Sequence, residues 1–149
     1  MESVDLVNLF DVLIRFETEL WNAIDKRLRL DHDLPLTWFE LMQVMARTPG
    51  CRVNDIVEAL SITVGGASKL VDRIETGGLC QRQPDPEDKR SSRIELTAAG
   101  QKRLAEATRT FREELESRIG TTVSQRSLAQ FAATLGKLRK GLRAYPNRI

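Results

Sequence analysis

The sequence predicts a mainly α-helical protein with one small β-hairpin. Three observations predict it. Apolar residues recur at steps of three, four and seven over residues 4–30, 100–119 and 124–144. Between them, residues 53–76 read as a short helix, a tight turn and a second helix. Residues 79–96 change character, with two strand-like stretches around a Pro- and Asp-rich turn. A chain of 149 residues suits one compact unit or a small domain with helical extensions.

The first helix, residues 4–30, carries Leu6, Phe10, Leu13, Leu20, Ile24 and Leu28 on one stripe, and Asp31 to Pro35 is expected to break it. A T-x-x-E capping box, Thr37 with Glu40, is expected to start the second helix, with Trp38, Leu41, Met42 and Met45 as its apolar face. Thr48-Pro49-Gly50 ends it. A short helix from Val53 to Leu60 turns Val53, Ile56, Val57 and Leu60 inward. Ser61-Ile62-Thr63 makes the turn, and Thr63 caps a helix running to Thr76. Gly77-Gly78 stops that helix by supplying the left-handed conformation.

Leu79 to Gln83 and Ser91 to Leu96 form the hairpin, with Pro84 to Lys89 as its charged turn. Two strands alone are marginal, so the hairpin must lean on helices. Thr97 caps the next helix, with Leu104, Thr108, Phe111, Leu115 and Ile119 on one face and Gly120 at its end. In the last helix Leu128, Phe131, Leu135, Leu138 and Leu142 step 3-4-3-4, a coiled-coil-like seam. Three such stripes exceed what one chain of this size can cover, so an intertwined homodimer is expected.

Charge is uneven along the chain. Residues 1–46 hold 4 basic and 9 acidic side chains, residues 47–100 hold 8 of each, and residues 101–149 hold 11 basic and 4 acidic. The acidic front and basic back are expected to pack together, within or between chains. The neutral middle means that any DNA binding there depends on placed charges rather than bulk basicity.

Several functional classes lack support. No run of about 18 apolar residues exists, so no membrane span is expected, and the N-terminus does not read as a signal peptide. Cytoplasmic residence is the default expectation. Cys51 and Cys80 lie 29 positions apart without a CxxC, and His32 is the only histidine, so no metal or cofactor is expected. No nucleophile motif or phosphate-binding Gly-rich loop points to an enzyme.

Helix, tight turn, helix and charged hairpin together make the layout of a winged helix-turn-helix. The second helix of the pair has Ala67, Leu70, Val71 and Ile74 inside and Thr63, Gly65, Gly66, Ser68, Lys69, Asp72 and Arg73 outside. A helix projecting in this way fits the major groove of DNA. Two glycines in its first turn, each costing about 1 kcal/mol relative to Ala, suggest close backbone approach to a phosphate or base edge. Ser68 and Lys69 could donate to phosphates or guanine, and Arg73 reaches outward one turn later. At the hairpin tip Asp88 is read as orienting Arg90 for the minor groove.

At this point the sequence resembles the MarR family of bacterial regulators. The resemblance rests on Asp55-Ile56, Leu60-Ser61-Ile62-Thr63, Leu70-Val71-Asp72-Arg73-Ile74-Glu75, Gly78-Leu79 and Arg82. Its most specific part is the wing, D-P-x-D-x-R at Asp85–Arg90, followed by L-T-x-x-G at Leu96–Gly100. The resemblance implies a winged helix-turn-helix lobe at residues 34–100 and a helical dimerisation region formed by residues 1–33 and 101–149. It also implies a two-fold dimer on a pseudo-palindromic operator in double-stranded DNA, acting as a repressor released by a small-molecule effector. The positions singled out for DNA contact are Thr63, Gly65, Gly66, Ser68, Lys69, Arg73, Asp88, Lys89 and Arg90.

Many relatives in that family bind small phenolic or carboxylic compounds, and the resemblance implies such an effector here. Arg15, Trp21, His32 and Trp38 are the residues nominated for such an effector, as an anion partner and aromatic walls. Two rival readings remain at the sequence level. One is a helical protein–protein adaptor without DNA binding. The other is a redox-sensing regulator using Cys51 or Cys80, which requires an exposed, electropositive thiol.

Overall fold

The computed structural model describes residues 2–88 and 90–145. The element order is α1 (Leu6–His32), α2 (Leu36–Arg47), α3 (Val53–Leu60), α4 (Val64–Thr76), β1 (Cys80–Pro84), β2 (Ser92–Leu96), α5 (Ala98–Leu115) and α6 (Gln125–Ala144). A wider π-helical turn, Glu116–Gly120, continues α5. The fold is mostly helical with one hairpin, as the sequence predicts. The chain divides into two compact units, residues 1–111 and residues 112–149.

In the first unit α2 is central, touching α1, α3, α4 and β2. Six of its twelve residues are buried: Leu36, Phe39, Leu41, Met42, Val44 and Met45. A helix buried on most of its circumference needs apolar residues beyond one stripe. That is why Phe39 and Val44, off the expected face, are core, while the expected Trp38 is only half-buried. The Phe39 ring packs on Phe111 of α5 with centroids 4.8 Å apart. Ile56 of α3, Val71 and Ile74 of α4, and Ile94 of β2 complete the core of the lobe. Val53, Val57 and Leu60 are less buried than their inward assignment suggests.

The start of α2 differs from expectation. The Thr37–Glu40 capping box does not form: Pro35 is the N-cap residue, no local side chain caps the helix, and Thr37 is exposed. The Leu36 N–H donates instead to Asp25 Oδ1 on α1 at 2.9 Å. A carboxylate from a neighbouring helix has taken the donor that a local cap would satisfy. Upstream, α1 runs on to His32 and closes at Asp33, whose φ of 48° is left-handed. Downstream of α4, Gly77 stays right-handed and Gly78 alone, at φ 79°, makes the turn.

The hairpin is antiparallel, pairing Cys80 with Leu96, Arg82 with Ile94 and Pro84 with Ser92. It leans on the helices as two strands must. The Ile94 N–H donates to the Cys51 carbonyl at 2.7 Å, and the Thr97 N–H to the Leu79 carbonyl at 3.1 Å. Thr97 caps α5 through the Gly100 N–H at 3.0 Å.

Two apolar faces are uncovered. On α1, Leu6, Val7, Phe10, Val12, Leu13 and Phe16 are exposed, whereas Ile24 and Leu28 at its other end are core. In the second unit none of the described residues is fully buried. Along α6, Phe131, Leu138 and Leu142 are exposed and Leu128 and Leu135 half-buried, so the predicted seam lies open. No helix is long and apolar enough to cross a membrane among the described residues.

Candidate nucleic-acid interface

Helix α4 turns one apolar stripe to the core and its polar residues outward, although Leu70, expected inside, is only half-buried and Val64 is exposed. Ala67, Val71 and Ile74 are buried. Thr63, Gly65, Lys69, Asp72 and Arg73 are exposed, and Gly66 and Ser68 are half-exposed. Thr63 Oγ1 accepts the Gly66 N–H at 3.0 Å, which fixes the first turn. The two glycines have different grounds. A β-carbon on residue 66 would lie 3.0 Å from Thr63 Oγ1, so the cap itself favours glycine there. A β-carbon on residue 65 would meet nothing within 4 Å, so nothing inside the chain requires that glycine.

The wing is held at its root and at its loop. At the root, Arg82 of β1 donates to Asp72 Oδ1 at 2.5 Å, to the Ser68 carbonyl at 3.3 Å and to Glu75 Oε1 at 3.4 Å, all on α4. Its own N–H donates to Glu75 Oε2 at 2.6 Å. At the loop, the buried Asp85 carboxylate accepts from the Arg52 guanidinium and from the Glu87 N–H, with Arg93 Nη2 3.9 Å away. The Arg52 bond and the Glu87 N–H hold the Asp85 carboxyl below its ordinary value. The Asp85 carboxylate in turn raises the Arg52 guanidinium.

Asp88 meets Arg90 differently from the expected side-chain pair. Asp88 Oδ1 accepts the Arg90 backbone N–H at 3.0 Å, an Asx turn that shapes the loop rather than a bond to the guanidinium. The Arg90 residue is exposed. Lys89 lies outside the described residues.

A groove of about 470 Å³ runs between the starts of α3 and α4 and the wing. It brings together Ser68, Asp88 and Arg90 of the predicted set, and adds Arg52, Asn54, Val64 and Arg82, which the sequence reading did not select. The missed residues had one signal. D-P-x-D-x-R contains two carboxylates, and a buried carboxylate needs a cationic partner, but eight basic residues in 47–100 left that partner unspecified.

The four residues nominated for an effector are dispersed in their contacts. Arg15 pairs with Asp11 at 3.6 Å on an exposed helix face. His32 Nε2 lies 2.6 Å from Thr110 Oγ1. Trp21 and Trp38 are half-buried, with Trp38 against Gly77. None of the four lines the wing groove or another cleft, of about 490 Å³, between the end of α2 and β2.

Both thiols are buried, and burial pushes each up to about 11. Asp55 adds to this at Cys51 and Glu75 at Cys80. A thiol that holds its proton in a closed site is a poor nucleophile, the opposite of what a redox sensor requires. Among the described residues no group of acids, cysteines and histidine could hold a metal ion.

Comparison with known proteins places this geometry. Residues 32–91 match the family model described as the MarR family. The transcriptional regulator HosA of Escherichia coli O111:H- is 38% identical over 82 residues, 53% of this chain and 61% of HosA. The match thus spans about three-fifths of that relative's length. The crystal structure of Sco3205, a MarR family transcriptional regulator from Streptomyces coelicolor in complex with DNA, superposes with a TM-score of 0.86 at 20% identity, covering 100% of this chain and 94% of that one. The S. aureus MepR–DNA complex gives a TM-score of 0.79 at 26% identity over 93% of this chain and 99% of that one. The chain thus resembles MarR-family regulators over the segment it shares with them, and it adopts the winged-helix fold of the MarR-family structures.

Proposed function

We propose that the protein is a sequence-specific DNA-binding transcriptional regulator that acts as a homodimer. The observation that carries this reading is the exposed polar face of α4 beside a groove that also holds Arg90. Helix α4 would enter the major groove through Thr63, Gly65, Gly66, Ser68, Lys69 and Arg73, with Arg90, flanked by Asp88 and Lys89, in the adjoining minor groove. The crystallisation of Sco3205 and MepR with DNA supports the assignment.

The dimer rests on the two uncovered apolar faces, each of which a second copy would cover. Residues 34–100 form the DNA-binding lobe in this reading, and residues 1–33 with 101–149 the dimerisation region. Repression relieved by a small phenolic or carboxylic compound completes the proposal. The half-buried Trp21 and Trp38 supply a native fluorescence probe for titration with benzoates and phenols. A quench that saturates, together with release of DNA at the same concentration, is the expected result. DNA occupancy that stays constant across the series contradicts effector release.

Selection of bound fragments from the host genome tests the DNA reading. Enrichment of short pseudo-palindromic sites is expected, and Lys69→Ala or Arg73→Ala should each abolish the enrichment while the variants remain folded. A protein that retains no fragment at low salt, yet stays dimeric, would be the adaptor instead.

A further inference from the structure

Arg52 stands at the N-cap position of α3, outside the hairpin, and reaches across to both flanks of its loop. Its guanidinium donates to Asp85 at one flank and to Ser91 Oγ at the other. The same two residues close the loop through the main chain, the Asp85 N–H donating to the Ser91 carbonyl at 3.4 Å. Asp85 is 3% exposed, so its carboxylate has lost most of its water and depends on these donors.

The anchor itself is firmly held. The Arg52 N–H donates to Asp55 Oδ2 at 2.8 Å, and its carbonyl accepts the Asp55 N–H at 3.0 Å. Cys51, just before it, is fully buried and receives the Ile94 N–H. Helix α3 packs on both α2 and α4, so Arg52 shares a frame with α4. Arg82 ties the root of the wing to α4, and Arg52 ties the loop at its far end to the same frame. The planar fork of an arginine can hold two acceptors at once, which the single ammonium of a lysine does less well.

We infer that Arg52 is the positioning residue of the wing: by joining Asp85 and Ser91 to the start of α3, it fixes where Arg90 stands relative to α4. Its consequence for operator binding rests on the DNA-binding reading above; the latch itself does not.

The test uses the full-length protein with Arg52→Ala, Asp85→Asn, Arg90→Ala and the double variant Arg52→Ala/Arg90→Ala. Hydrogen exchange of the segment between Pro86 and Arg90, measured without DNA, should quicken roughly tenfold or more in Arg52→Ala and Asp85→Asn. Exchange in α2 and α4 should stay as in the unaltered protein, which separates a released wing from a destabilised fold. On a selected operator, both variants should bind roughly tenfold more weakly. Hydroxyl-radical protection in the flanking minor grooves should fade while guanine N7 protection in the major groove persists.

Arg52→Ala should add less than about twofold to the loss from Arg90→Ala, because both act through one side chain. Unchanged wing exchange in Arg52→Ala overturns the latch, with or without DNA binding. Asp85→Asn behaving as the unaltered protein while Arg52→Ala is weak also overturns it, since Arg52 would then be contacting phosphate directly. An unaltered protein that leaves no footprint refutes the DNA reading instead, and the exchange measurement still decides the latch.

Discussion

The carbonyl oxygen of Leu79 occupies the place where a β-carbon on residue 100 would stand. A β-carbon built on Gly100 lies 1.9 Å from that oxygen and 2.9 Å from its carbon. The first turn of α5 therefore rests directly on the backbone between α4 and β1. Two further bonds hold the junction, from the Thr97 N–H to the Leu79 carbonyl and from Thr97 Oγ1 to the Gly78 carbonyl. Gly100→Ala forces main chain against main chain, with no flexible side chain to yield. It should lower stability by about 1–3 kcal/mol or more, measured by urea unfolding. A variant within about 0.5 kcal/mol of the parent would show that the junction relaxes freely.

The two glycines of α4 should separate fold from function. Gly65 faces open space, so Gly65→Ala should leave the fold intact or raise stability by up to about 1 kcal/mol. If α4 enters the major groove as proposed, the added methyl group should nevertheless weaken operator binding, because residue 65 is exposed on the helix face assigned to DNA. At Gly66 the methyl group would press on the Thr63 hydroxyl, so Gly66→Ala should disturb the cap and lower helix stability. Thermal melts and fluorescence anisotropy on both variants check the pair. Equal stability effects at the two positions would contradict this assignment.

The thiols should be silent in the folded protein. At pH 8 Ellman's reagent should react with neither Cys51 nor Cys80 until denaturant is added. Fast reaction of either thiol would restore the redox reading. The same burial has a sign in stability. The folded chain keeps both thiol protons to a pH of about 11, above the ordinary value of 9.0, so between these limits it binds more protons than the unfolded chain. Stability should therefore fall as pH rises through that window. The fall should be smaller in Cys80→Ala than in the parent, measured by thermal melts.

The uncovered face of α6 makes the oligomeric state a sharp test. Leu138 is 57% exposed on that face. If a second copy covers it, Leu138→Asp should convert a dimer to a monomer or unfolded chain in sedimentation velocity, because an unpaired charge in an interface is costly. A variant that still sediments as a stable dimer would place the interface elsewhere.

Much of this fold was legible because local signals and tertiary packing agreed. The Thr63 and Thr97 caps, the limits of α3 and α4, and the left-handed Gly78 each follow from residue chemistry within a few positions. The T-x-x-E signal at Thr37 failed for a complementary reason: Asp25, eleven residues upstream of Leu36, supplies the acceptor, and no local window contains it. The outward face of α4 was readable from helical periodicity. The supports of the wing were not. Arg52 meets Asp85 across 33 positions, and sequence alone cannot choose among several arginines. The Asp88–Arg90 spacing likewise suggested a side-chain pair, whereas the short reach of an aspartate favours the nearby backbone N–H.

The central claim is that α4 and the wing together form a DNA-binding surface. Equilibrium affinity for a selected operator, measured between 50 and 200 mM salt, tests it most directly. A dimer making about 6–10 phosphate contacts should lose about 10³–10⁵-fold in affinity over that range, and Arg90→Ala should bind about 1–3 kcal/mol more weakly while remaining dimeric. Affinity that does not change with salt, or that survives Arg90→Ala unaltered, would contradict the account.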